Sequence, residues 1–253
     1  MTTLPFPPRT VALRPLALPA EHGGWGFLFE PMLVGLLVAP SWSGAFVAAA
    51  ALSGFLARHP LKLAFRDAVR GRRYPRTFWC RALAASYAIA ALLSLSIAVA
   101  MSGANILVPF LLAMPFAALQ AWLDAKSRGR ELLAEVSGAV AMASIAAAIA
   151  LAGGAGRALA YGLAGIMIAR FVPAILYVRA LLGRLPAWCV WTAHVAALGA
   201  VGVYARPLAI AAMVVLLIRA VWGLTHVPPR AKTIGWREIV FGIVTVALVA
   251  ASV

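Results

Sequence analysis

Only 11% of this 253-residue chain is charged, so the ionisable side chains that fall inside its long apolar runs stand out. Glu30 sits beside Pro31, and Glu135, Arg170 and His194 each lie a turn or more within a hydrophobic stretch. An ionisable group at mid-bilayer costs about 2.5–3.5 kcal/mol on insertion scales, so such residues face a bundle interior and mark sites of function. A carboxylate in that setting would serve as a base, which names Glu30 and Glu135 as catalytic candidates. His22 would carry a proton. Arg170 would hold an anion or act as counter-ion, with Asp124 beside it and Arg58, Arg66 and Arg70 near the anionic group of a substrate.

The elements that position these residues follow from composition. Hydrophobic residues make up 64% of the chain, against about half or less in soluble domains. About 20 apolar residues span a bilayer as a helix. On that rule the chain reads as an all-α, polytopic transmembrane bundle of about nine spans. They are Trp25–Ala39, Ser43–Ala57, Leu83–Met101, Ile106–Leu123, Leu133–Ala152, Leu159–Val178, Trp188–Tyr204, Leu208–Leu224 and Glu238–Ala251. The count is eight if the first two, separated only by Pro40-Ser41-Trp42-Ser43, merge. A tail, residues 1–22, precedes one transmembrane domain, 23–253. Its prolines (Pro5, Pro7, Pro8, Pro15 and Pro19) exclude a cleavable signal and imply an extended segment.

A net charge of +15 would point to nucleic acid in a soluble protein. Here topology accounts for it, because cytoplasmic loops retain Lys and Arg. With the N-terminus inside, alternate connections carry nineteen of the 22 basic residues, Arg219 counted among them. The densest group runs from Arg58 to Arg81. The outer gaps carry only Arg157 and Arg206, and Arg170 lies within a span. The reading is a bacterial inner-membrane protein with membrane lipids as partners and no nucleic acid. At 1.5 Å per residue, Glu30 and His194 lie ~10 Å and Arg170 ~13 Å from the cytoplasmic edge. All embedded ionisable groups thus fall in the inner half, which fits a polar pocket open to the cytoplasm. Cys80 and Cys189, at span ends on the reducing side, read as free thiols that pack as small apolar residues.

Plainer roles compete at each position. Arg170 would pair structurally with Glu30 or Glu135. Glu131 and Glu135 suit a helix N-terminus, and Asp124 with Arg128 is a four-residue helical pair. His194 fits a packing histidine. In the segment Glu21-His22-Gly23-Gly24-Trp25 the alternatives are a site and a helix start with an interfacial anchor. The stretch His59–Val69 reads as a helix lying on the membrane surface, Leu61 and Phe65 inward, Lys62 and Arg66 outward. No His, Cys and carboxylate spacing resembles a transition-metal site, and no cofactor is specified.

Four segments carry a family resemblance across most of the chain: EHGGWGFLFEP, RHPLKLAFRD, DAKSRGRELLAEVSGA and KTIGWREI. They resemble the YwiC-like family of bacterial integral membrane proteins, which implies the architecture more than an activity. Nine spans with polar inner loops are also similar to UbiA-like prenyltransferases. Those enzymes hold magnesium and a prenyl diphosphate on two Asp-rich motifs. This chain departs from that pattern, since Asp67 is the only acid in its loop and the stretch from Arg179 to Pro186 has none. Three functions stay open. One is binding or modification of an isoprenoid or lipid-like substrate in the inward pocket. The second is transport of a small anion or metabolite, for which Pro31 and Pro173 would break two spans. The third is a non-catalytic membrane partner or assembly factor.

Overall fold

A computed structural model describes residues 12–19, 22–71, 74–204 and 206–253. Glu21, Arg72, Arg73 and the side chain of His22 lie outside the described part, so the proton-carrier role expected of His22 has no geometry to set against it. The described residues form helices without strands. In chain order they are α1 (Arg14–Ala17), α2 (His22–Val38), α3 (Trp42–Val69), α4 (Pro75–Ser102), α5 (Val108–Ala125, after a 3₁₀ turn at Ala104–Leu107), α6 (Leu132–Ala152), α7 (Arg157–Leu181), α8 (Ala187–Gly202), α9 (Pro207–Thr225) and α10 (Ala231–Ala250).

Among the described residues, six helices are long and apolar enough to cross a membrane: α4, α5 with its 3₁₀ turn, α6, α7, α9 and α10. Helices α2 and α8 are equally apolar but shorter. The chain is therefore a multi-pass membrane protein. Helices α4 and α5 turn most of their apolar surface outward, with Leu92, Leu93, Leu111 and Leu112 exposed. Lipid rather than protein must cover that surface.

Local signals set the boundaries. The Ser41 hydroxyl accepts from the Gly44 amide at 2.9 Å and starts α3, satisfying a donor that a helix start leaves free. Proline opens α4 and α9, where its missing N–H is harmless. Gly103, at φ 84°, turns the chain out of α4, a conformation open to glycine at little cost. The first two spans are separate helices, divided at Ala39–Ser41.

Three expectations need correction. The stretch His59–Val69 is not a separate helix but continues α3 without a break, through Pro60. Helix α4 runs alongside it, and the Asp67 carboxylate, buried beyond the ~20 residues a span requires, ties the two together. It accepts from Arg76 Nη2 at 2.8 Å and from the Thr77 hydroxyl at 2.8 Å. The Arg76 hydrogen bond holds that carboxyl below its usual range, against the opposing effect of burial. Leu61, Phe65 and Arg66 are exposed while Lys62 is partly covered, its ammonium on Asp124. The tail is not wholly extended either. Residues 14–17 form a helical turn whose Leu16 packs with Ala64 of α3 and Cys80 of α4. Finally, Pro31 and Pro173 do not break their spans, and α2 and α7 remain helical through both.

Helix α6 is the hub. Its run from Ala143 to Ala150 is buried throughout, and it packs against α2, α3, α5 and α7. Small residues let the backbones approach, which is how helices associate when lipid offers no hydrophobic drive. A Cβ on Gly35 of α2 would stand 2.7 Å from Ile149 Cβ and 3.2 Å from the Ala146 carbonyl. Gly44 of α3 meets the same isoleucine at 3.1 Å.

Candidate functional site

Five helices converge on one buried polar cluster. Glu30 comes from α2, Arg170 from α7, His194 from α8, Arg219 from α9 and Glu238 from α10. Each lies ~9 to ~17 Å, at 1.5 Å per residue, from the end of its helix that carries the bundle's arginines and lysines. Relative exposure is 9% for Glu30, 2% for Arg170, 3% for His194 and 7% for Arg219.

The cluster alternates in sign. Arg170 Nε lies 3.4 Å from Glu30 Oε2. Arg170 Nη1 donates to Glu238 Oε2 at 3.3 Å, and Nη2 donates to the Glu238 main-chain carbonyl at 3.0 Å. Arg219 Nη1 donates to the other oxygen of the same carboxylate. Two guanidinium groups and two carboxylates thus neutralise one another, which offsets much of the cost of burying any one of them. His194 closes the series. Its Nδ1 lies 2.8 Å from the Val190 carbonyl, an acceptor only, so Nδ1 holds the proton and Nε2 faces Arg219 Nη2 at 3.5 Å as acceptor. Below, the Tyr177 ring lies 4.0 Å from the Arg219 guanidinium carbon, a cation–π contact.

Glycines make the room. A Cβ on Gly242 of α10 would run into the Glu30 carboxylate, and one on Gly223 of α9 into the Tyr177 hydroxyl. The prolines flank the cluster, and the rings beside them, Phe27 of α2 and Phe171 of α7, pack edge to face at 4.8 Å. Hydrogen bonding within the cluster is incomplete. Glu30 Oε2, Arg170 Nε and Arg219 Nε are buried without a hydrogen-bond partner among the described residues.

Beside the cluster, between α7, α9 and α10, opens a cleft of about 490 Å³, within the ~300–1,000 Å³ usual for small-molecule sites. Arg219, Arg237, Glu238 and Tyr177 line it together with the apolar side chains of Leu181, Val215, Ile218, Trp222, Ile234 and Phe241. Ile218 and Trp222 are 62% and 64% exposed on α9, so part of the cleft's apolar lining faces the outside of the bundle.

The other residues singled out by sequence are distributed elsewhere. Arg170 pairs with Glu30 and not with Glu135. Glu135 accepts from Arg179 Nε at 2.8 Å, about 13 Å along α7 from Arg170 and nearer the charged end. Asp124 does not pair with Arg128. It takes Lys62 Nζ at 2.5 Å and Arg58 Nη2 at 3.1 Å from α3. Arg128 instead binds Glu131, at 2.5 Å from Nε to Oε1. Glu131 occupies the position before α6, but its side chain makes no cap hydrogen bond. Arg66 and Arg70 are exposed near the end of α3. Helix α3 packs on α2, α4 and α6, away from the α7–α9–α10 cleft. Glu135, Asp124 and the basic residues of α3 therefore do not join Glu30 and Arg170 in one pocket.

Sequence reasoning passed over Arg219, Glu238 and Tyr177. Arg219 was grouped with the topogenic charges, although it lies within the apolar run 208–224. In sequence Glu238 reads as the first residue of the last span. Helix α10 begins seven residues earlier, at Ala231, which moves Glu238 two turns inside. A readable signal existed: the short connection between α9 and α10 brings positions 219 and 238 to similar depth.

Fold and cluster together define an all-helical, multi-pass membrane protein with a charge-neutral polar centre toward one end of the bundle. The chain belongs to the YwiC-like protein family, whose model matches residues 18–150, from before α2 nearly to the end of α6. Arg170, His194, Arg219 and Glu238 lie beyond the matched part. No curated protein and no solved structure matches the chain.

Proposed function

We propose that this protein crosses the bacterial cytoplasmic membrane nine times, as α2 to α10, with its N-terminus in the cytoplasm. In this reading its cytoplasm-facing cleft binds an amphiphile of isoprenoid or lipid-like class. The bias of Lys and Arg to alternate connections supports the orientation. The observation that carries the ligand class is the cleft itself, where apolar walls open to lipid and end on Arg219, Glu238 and Tyr177. An apolar tail would lie against Ile218, Trp222 and Phe241, and a polar head would meet the arginines. Glu30 would act on bound ligand only through Arg170 and Glu238, as a residue that positions them. Glu135 and Asp124 would serve as fasteners between helices, with Arg58, Arg66 and Arg70 set toward lipid headgroups. The likeness to UbiA-like enzymes then extends to span number and polar inner ends. Asp67 and Asp124 are each held by basic side chains and stand apart from the cleft.

The test is photolabelling of purified protein in nanodiscs with a photoreactive fatty acid and a photoreactive prenol, with adducts mapped by mass spectrometry. Adducts concentrated on the peptides holding Ile218, Trp222 and Phe241 are expected. Even labelling over the lipid-facing sides of α4 and α5 would remove the cleft as a ligand site.

A further inference from the structure

Resting on the reading of the cleft as an amphiphile site, we infer that it selects heads bearing a single negative charge, a carboxylate or a phosphodiester, over neutral heads and over diphosphates. The inference follows from the charges that face the cavity. Among the described residues the charged side chains that line it are Arg219, Arg237 and Glu238, and Glu238 pairs with Arg219. Arg237 lines the same cavity and forms no ion pair among the described residues. One positive charge therefore faces the cleft unmatched. Arg219, itself 7% exposed and part of the lining, also keeps its Nε–H without a partner among the described residues. A singly charged anionic head in the cleft would supply the counter-charge that Arg237 lacks among the described residues.

A diphosphate brings at least two charges. The surplus would face the Glu238 carboxylate across a largely apolar space, where uncompensated charge is costly. Arg230 and Lys232 stand exposed at the start of α10 and do not line the cavity. An alcohol would leave Arg237 without a counter-charge. Since the walls open to lipid, tail length is not the selective feature.

The experiment is competition against the photoreactive fatty acid, using the full chain in phosphatidylcholine nanodiscs. Oleate and lysophosphatidylglycerol should each displace the label from the α9 and α10 peptides about ten-fold better than oleyl alcohol or farnesyl diphosphate, the scale of one charge-assisted contact. Oleate against lysophosphatidylglycerol separates a free acid from a lipid headgroup as the source. Arg237→Gln, at an exposed position that leaves the buried cluster whole, should erase the preference of oleate over oleyl alcohol. Farnesyl diphosphate as best competitor, or an unchanged ranking in Arg237→Gln, would overturn the inference while leaving the cleft as an amphiphile site. Absence of label at α9 and α10 would sink both.

Discussion

Arg170→Leu should unfold far more readily than the parent protein. The leucine leaves Glu30 without the only ion-pair partner it has among the described residues and removes one of two arginines from Glu238. Breaking a buried pair by deleting one partner typically costs about 3–5 kcal/mol, because the remaining charge stays buried. The double variant Glu30→Leu/Arg170→Leu should recover much of that loss, since apolar replacement of a whole pair is often near neutral. Denaturant titration of the purified variants in detergent measures both. A double variant no more stable than the single would show that Arg170 stabilises the bundle by packing rather than by neutralising carboxylates. The comparison matters for function, because a cluster held mainly for stability tolerates neutral replacement without change in ligand labelling.

The second large effect concerns the α2–α6 contact that sets Glu30 at its depth. Gly35→Ala should destabilise by about 1–3 kcal/mol, the usual range for overpacking, because its Cβ would stand 2.7 Å from Ile149 Cβ. Ile149 is fully buried, so Ile149→Ala alone should cost about 2–5 kcal/mol as a cavity. Alanine at 149 keeps the Cβ but removes Cγ2, which would stand 2.8 Å from the new methyl, so the loss in the double variant should fall short of the sum by about 0.5 kcal/mol or more, as expected for residues in contact. Strict additivity in the same titration would mean that the two helices do not meet there.

Apolar length and basic asymmetry make the helical membrane fold legible in the sequence, because both act through the bilayer, a solvent whose rules are known in advance. Depth is legible for the same reason, and Glu30, Arg170 and His194 are recognisable as embedded groups. Which embedded groups meet is not. Helices α2, α7, α8, α9 and α10 are distant in sequence, and their mutual rotation is set by small residues such as Gly35, Gly223 and Gly242, whose absence of a side chain carries no partner information. Arg219 is lost among topogenic charges because a count of loop arginines does not separate a residue two turns inside a helix from one beyond its end. Glu238 is lost because Ala231–Arg237 is polar enough to look like loop, yet helical. The surface-helix reading of His59–Val69 fails for a related reason. Amphipathic spacing alone cannot tell a separate surface helix from the continuation of a longer one, tied through Asp67 to Arg76 and Thr77 on a neighbouring helix.

The proposed orientation puts the arginine-rich helix ends on the cytoplasmic face, with the cleft reached from there. The direct measurement is labelling of single cysteines by a membrane-impermeant maleimide, after Cys80 and Cys189 have been replaced by alanine. Arg184→Cys, exposed after α7, and Arg157→Cys, exposed at the start of α7, report opposite ends of one helix. Position 157 should react in intact spheroplasts while position 184 reacts only in inverted vesicles. The opposite pattern would turn the bundle over, and with it the side from which the cleft is reached.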